Sequence, residues 1–120
     1  MQTINTAHEG LGYWRSTLLR YVRSGQPDLT NRQMALLLVA GQEEGPHTVR
    51  GLAARLGVSK PVVTRALNSL STLDLVLRRR DEQDRRSVFV DLTQGGEAFL
   101  ADFARLIMGE TRAHGAGGDA

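Results

Sequence analysis

The spacing of three residues in the middle of the chain sets the tightest constraint on its fold. Ala53 is small enough to let two helices cross closely, Gly57 follows four residues later, and Val63 follows Gly57 by six. A glycine suits a turn that needs a left-handed backbone, and Val63 can anchor a second helix in a core. The spacing predicts a helix-turn-helix with helices over about 49–56 and 59–73. An ordinary helical hairpin inside an all-α core has the same spacing, so this feature alone leaves both readings open.

The second of these helices has two chemically different faces. At about 100° per residue, its apolar side chains point to one side. These inward positions are Val62, Val63, Ala66, Leu70 and Leu73, with Leu67 at the margin. The opposite face carries short polar groups and one arginine, which can contact base edges in the major groove, and the helix N-terminus favours a phosphate. A merely solvated face usually carries Glu–Lys pairs, whereas this helix has no acidic residue, so we favour base recognition. The candidate recognition residues are Ser59, Lys60, Pro61, Thr64, Arg65 and Asn68.

A basic hairpin follows the helix-turn-helix. The alternating apolar residues predict strands over 76–79 and 88–92, joined by the polar tip RDEQDRR. Residues 48–90 hold nine of the 15 Lys and Arg residues but four of the 13 Asp and Glu residues. Such a locally basic segment is typical of a surface that binds a polyanion, most often DNA. In a wing, Asp84 would hold a neighbouring arginine while another enters the narrow minor groove. The candidate wing residues are Arg79, Arg80, Asp84, Arg85 and Arg86.

Helices are also predicted before and after the helix-turn-helix and its hairpin. The first spans about 8–23, the second spans about 30–43 with a Thr30–Gln33 capping box, and the last starts after Thr93. Aromatic and aliphatic residues recur at helical spacing in the first and last helices. Such stripes are more often core or subunit interface than a ligand cleft. The candidates for a dimer interface or an effector cleft are Leu11, Trp14, Leu18, Tyr21, Phe99, Phe103, Leu106 and Ile107.

Composition excludes several classes of function. The chain has no Cys, and its three histidines, His8, His47 and His114, share no ligand-type spacing, so we expect no metal site and no cofactor. It has no nucleophile–base pair with an orienting group and no glycine-rich phosphate loop after a strand, so we expect no enzymatic activity. It has neither an apolar run of about 20 residues nor a secretory signal. A cytoplasmic protein without membrane contact is therefore expected.

Three stretches together resemble the MarR family of bacterial winged helix-turn-helix regulators. They are LTNRQMALLLVA, VRGLAARLGVSKPVVTRALNSLSTLDLV and RRRDEQDRRSVFVDLTQGGEAFL, and they cover about residues 30–100. The resemblance implies a homodimer that binds a palindromic operator in double-stranded DNA, usually as a repressor. It also implies a small aromatic or phenolic effector that binds between the dimerisation helices and the DNA-binding lobe. By motif position, Asp84 and Arg86 match the wing's paired acid and minor-groove arginine, and 59–68 matches the recognition helix.

These observations give one expected organisation. The fold class is mainly α with a small β-hairpin: a winged helix-turn-helix with flanking N- and C-terminal dimerisation helices. We expect a single domain, with an N-terminal dimerisation helix in 1–29, the winged helix-turn-helix in 30–92, a C-terminal helix in 93–109 and a disordered tail in 110–120. MarR-type chains commonly extend further and build their dimer from a long terminal helix. A shorter sequence can form a non-standard dimer whose recognition helices are misaligned. The alternative is therefore a winged-helix module that binds protein and makes no specific contact with DNA.

Overall fold

The computed structural model describes residues 2–109, with side chains from Thr6 onward. Within that part of the chain there are five helices and three short strands, which confirms the mainly helical winged-helix class. The predicted tail, 110–120, lies outside the described residues. In chain order the elements are α1 (Gln2–Arg23), α2 (Asn31–Gln42), β1 (His47–Thr48), α3 (Val49–Leu56), α4 (Lys60–Thr72), β2 (Val76–Arg80), β3 (Val88–Leu92) and α5 (Gln94–Met108).

The described residues form two compact units. One unit is Leu29–Leu100 and holds the helix-turn-helix and the sheet, and the other holds the described residues before and after it. Helix α5 contributes its first half to the former and its second half to the latter. The segment boundaries expected for a single domain stay a prediction.

Helix α2 lies at the centre of the larger unit. It begins with the predicted capping box, in which the Thr30 hydroxyl accepts from the Gln33 backbone N–H at 3.1 Å and the Gln33 side chain accepts from the Thr30 N–H at 2.9 Å. Its Leu36 and Leu37 are completely buried. Such side chains form the interior on which α3, α4 and β3 pack. The largest fully buried side chains are Leu36, Leu37, Leu52, Val63, Leu67, Leu70 and Val90.

The sheet has one strand more than the predicted hairpin. Its order is β1-β3-β2, and both pairs are antiparallel. The hairpin itself agrees with the prediction apart from one residue at the end of β2, which extends to Arg80. Strand β1 was missed because two residues are too few to show an alternating pattern; it pairs His47 with Val90 and Thr48 with Phe89. This third strand ties the start of the helix-turn-helix to the hairpin.

The buried side of α4 differs from the prediction at two positions. Leu67, expected at the margin, is fully buried, whereas Leu73, expected inside, is 41% exposed. The physical reason is that α4 ends at Thr72 and Leu73 is its C-cap, with φ −84° and ψ 1°, so the helical face does not continue to Leu73. Val63, Ala66 and Leu70 are buried as predicted, and Val62, also expected inside, is half-buried.

The smaller unit joins α1 to the second half of α5. Tyr21 and Phe103 are both buried, and their rings meet edge to face with centroids 5.5 Å apart. The Arg20 Nε donates to the Leu106 carbonyl at 2.6 Å, so a cation lies at the helix C-terminus where it is favoured. Helix α1 starts at Gln2, earlier than the predicted start near residue 8.

Replacing Leu67 tests which side of α4 carries the stability of the larger unit. We expect Leu67→Ala to lower the free energy of unfolding by about 2–5 kcal/mol, because it leaves a cavity in a closed core. The matched control is Leu73→Ala, which removes the same atoms from a partly exposed site and should cost less than about 1 kcal/mol. Urea unfolding followed by circular dichroism measures both; equal losses would contradict the assignment.

Candidate nucleic-acid interface

The turn between α3 and α4 has the geometry that its sequence predicts. Thr48 caps α3, and its hydroxyl accepts from the Gly51 backbone N–H at 2.9 Å. Gly57 ends the helix in the left-handed region at φ 72° and ψ 34°, where a side chain would add strain. Ala53 is 6% exposed, which agrees with its predicted place in the interior. The backbone therefore turns sharply between the two helices and leads directly into α4.

Helix α4 exposes the whole set of side chains predicted for recognition. Since Val63, Leu67 and Leu70 lie in the core, the opposite side of the helix faces solvent. Ser59 occupies the N-cap position, but its side chain makes no capping hydrogen bond. The exposed residues of this face are Ser59, Lys60, Pro61, Thr64, Arg65 and Asn68, and they define the recognition face.

The Asp84 carboxylate makes several of the contacts that order the tip of the hairpin. Asp84 Oδ1 accepts from the Arg86 backbone N–H at 3.1 Å and lies 3.5 Å from the Arg86 Nε. Its Oδ2 accepts from the Ser87 hydroxyl at 3.3 Å, and its backbone carbonyl accepts from the Ser87 N–H at 2.8 Å. The structure thus brings together Asp84 and Arg86, the two residues that the motif pairs. The Arg86 side chain is 86% exposed, so the pairing orients it while leaving it accessible.

Two of the other wing arginines have partners that the sequence did not reveal. The Arg79 Nε donates to Asp91 Oδ2 at 2.7 Å, and its guanidinium lies 5.1 Å from the centroid of the Phe89 ring. The bond to Asp91 raises the pKa of Arg79 above its ordinary value. The Arg80 Nη1 donates to the backbone carbonyl of Arg85 at 2.8 Å. The sequence pattern that could have predicted the partners of Arg79 is the alternation in β3, which sets Phe89 and Asp91 on one face of the strand.

Helix α3 is tied to the end of α2 by an ion pair. The Arg55 Nε donates to Glu43 Oε1 at 2.9 Å, and Glu43 is the C-cap of α2. This hydrogen bond is the largest influence on Glu43 and lowers the pKa of its carboxyl, while the same bond raises the pKa of Arg55. The Arg55 side chain, although exposed, is therefore occupied by an ion pair within the chain.

Several basic side chains remain without an internal partner. Within residues 6–109, the side chains of one group of exposed cations make no hydrogen bond and no ion pair. Those in the larger unit are Arg32, Arg50, Lys60, Arg65, Arg78 and Arg85. Exposed cations of this kind can neutralise phosphates at little cost in lost internal contacts.

The side chains proposed for a dimer interface or an effector cleft divide into two groups. Tyr21, Phe99 and Phe103 are buried within the chain itself, and Leu106 is partly buried. The exposed group is Leu11 (69%), Trp14 (51%), Leu18 (39%) and Ile107 (52%). Only the second group presents apolar surface to another molecule.

The described residues offer no sign of other chemistry. No group of three or more His, Asp or Glu side chains among them could hold a metal ion. None of the helices described is both long enough and apolar enough to span a bilayer.

The fold defines the class of winged helix-turn-helix proteins, and the sequence assigns the family within this class. Residues 28–87 match the model of the MarR family. Because the match covers half of the chain, the protein belongs to the MarR family. No curated protein matches the chain significantly in sequence.

Solved structures share the fold. A MepR variant from a multidrug-resistant clinical isolate of S. aureus aligns with a TM-score of 0.74 at 23% identity, over 91% of this chain and 77% of that one. The transcriptional regulator Tm0710 from Thermotoga maritima gives 0.70 at 22% identity, over 91% and 75%. The transcriptional regulator BldR from Sulfolobus solfataricus gives 0.61 at 27% identity, over 91% and 74%. MarR-family regulators bind DNA.

Proposed function

We propose that this protein is a sequence-specific, DNA-binding transcriptional regulator that reads base edges with α4. The observation that carries the proposal is the recognition face: Thr64, Arg65 and Asn68 are exposed along one side of a helix whose other side is buried. Arginine can bond the O6 and N7 atoms of guanine together, asparagine can do the same with adenine N6 and N7, and threonine can contact the thymine methyl group. Lys60 and Ser59, at the helix start, suit a phosphate.

The hairpin supplies the second contact in this proposal. Arg86, oriented by Asp84 and largely exposed, enters the minor groove beside the recognition site. A narrow minor groove over A·T pairs has a strong negative potential that attracts arginine. The unpartnered cations, among them Arg78 and Arg85, add phosphate contacts that raise affinity without reading sequence.

We also propose that the protein acts as a homodimer on a palindromic operator. One side of α1 carries a mostly apolar groove of about 540 Å³ with nothing from the described chain covering it. An exposed apolar surface of this kind marks an interaction site. A second copy of the chain can cover it, because in a two-fold symmetric dimer the same surface of each copy contacts the other. Two-fold symmetry places the half-sites about 10 bp apart, centre to centre. The apolar residues lining this groove are Leu11, Trp14, Leu18, Leu19 and Val22.

Family membership supports the remaining parts of the proposal. The protein acts in the cytoplasm as a repressor, and a small aromatic or phenolic effector releases it from DNA. Tyr13 and Trp14 on α1 are exposed aromatic side chains that such a ligand can contact, whereas Tyr21, Phe99 and Phe103 are buried within the described chain.

Arg65→Ala tests base reading. We expect it to weaken binding to the preferred site by about 1–3 kcal/mol and to relax sequence choice at one position, because a bidentate base contact is lost. Lys60→Ala is the control: it should weaken binding to all duplexes alike and lower the salt slope by about 0.9. Fluorescence anisotropy against a panel of duplexes measures both. An unchanged preference in Arg65→Ala would sink the proposed role.

Leu18→Glu tests the dimer. A carboxylate buried without a partner in the interface should weaken dimerisation by about 100-fold or more. Sedimentation equilibrium measures the dissociation constant. Leu77→Glu is the matched control, since Leu77 is also exposed, at 54%, but lies on β2 in the other unit. If both variants dimerise like the parent protein, α1 is not the interface.

A further inference from the structure

Arg80, the last residue of β2, makes a side-chain hydrogen bond to the loop that follows it. Arg80 is paired directly with Val88, so these two residues close the ladder at the base of the tip, 81–87. The Arg80 side chain does not extend freely into solvent, because its Nη1 donates to the Arg85 carbonyl at 2.8 Å. The other bonds that order the tip lie within it, among them Asp81 N–H to the Ser87 carbonyl at 3.0 Å and Gln83 N–H to Asp81 Oδ1 at 2.9 Å.

The Arg85 carbonyl belongs to the same rigid peptide unit as the Arg86 N–H, because a peptide bond is planar. The structure holds both polar ends of this unit: Arg80 donates to its oxygen, and Asp84 Oδ1 accepts from its N–H at 3.1 Å. A plane fixed at both ends also fixes the Cα atoms that flank it. The next peptide unit is restrained as well, because the Ser87 N–H donates to the Asp84 carbonyl at 2.8 Å. Together these bonds restrict the directions in which the Arg85 and Arg86 side chains leave the tip.

We propose that Arg80 is a positioning residue, which presents Arg86 to the minor groove by holding the 85–86 peptide unit and which makes no essential DNA contact of its own. This inference rests on the proposed function of the wing. It changes the role that the charge pattern gave to Arg80, which was that of a direct DNA contact. Without Arg80 the tip samples other conformations, and the apparent affinity falls in proportion to the fraction that remains competent to bind.

Arg78 provides a matched control. It lies two residues before Arg80 on the same strand and the same face, it is exposed, and its side chain has no hydrogen bond or ion pair within residues 6–109. Arg80→Met and Arg78→Met remove the same charge from the same strand. They differ in the bond to the Arg85 carbonyl.

The first measurement needs no DNA. Amide hydrogen exchange of the free protein should be faster at Arg86 and Ser87 in Arg80→Met than in Arg78→Met, since the tip has lost its tie to the strand. Equal exchange in the two variants would overturn the proposal. This result does not depend on whether the wing binds DNA.

The second measurement compares the selected operator with A·T-rich and with G·C-rich flanks. Arg80→Met should lose about 3- to 10-fold in affinity for the A·T-flanked duplex, and its flank preference should fall as in Arg86→Ala. Arg78→Met should weaken binding to both duplexes alike and keep the preference. The double variant Arg80→Met/Arg86→Ala should show the flank preference of Arg86→Ala alone, because Arg80 acts through Arg86.

Additive effects of the two substitutions would overturn the proposal, since they mean that Arg80 contacts DNA independently. If the parent protein itself shows no flank preference, the minor-groove part of the proposed function fails. The exchange comparison still decides whether Arg80 holds the tip.

Discussion

The burial of one side of α4 is the interaction on which the DNA-binding surface depends. Val63, Leu67 and Leu70 insert into a core that also holds Leu36 and Leu37 of α2. Each fully buried leucine or valine stabilises the fold by about 1.5–3 kcal/mol relative to an exposed one. A helix held this firmly has no freedom to rotate about its axis. The identity of the exposed residues is thus a consequence of the identity of the buried ones.

The wing is stabilised by different means. Its tip, 81–87, has no buried apolar side chain, and its order depends on hydrogen bonds: the Asp84 carboxylate accepts from the Arg86 backbone N–H, and Arg80 donates to the Arg85 carbonyl. Hydrogen bonds exposed to water contribute little individually, so such a loop is ordered but adaptable. A rigid helix for base reading beside a more adaptable basic loop suits a ligand whose groove width varies with sequence.

Much of the larger unit could be predicted because its signals are local. The Thr30–Gln33 capping box and the left-handed turn at Gly57 each follow from residue chemistry within a few positions, and both appear in the structure. Periodicity failed where the helix ended: Leu73 fits the helical face by number, but the backbone has left the helix there.

Contacts between distant residues could not be predicted in the same way. Strand β1 exists because β3 offers it a partner more than 40 positions along the chain, and two residues carry no pattern of their own. The partners of Arg79 and Arg80 depend on register and on the shape of the tip, so charge counting treated all the wing arginines as equivalent. Composition located the basic surface, while geometry distinguished the arginines within it.

Selection from a randomised duplex pool, followed by the affinity of the selected duplex against salt concentration, tests the central claim most directly. A dimeric reader of DNA should enrich an inverted repeat with half-sites about one helical turn apart. Its affinity should fall steeply with salt, with a slope of about −0.9 for each phosphate neutralised. A pool without an enriched sequence, or binding that does not respond to salt, would contradict the claim and favour a winged-helix module that binds protein.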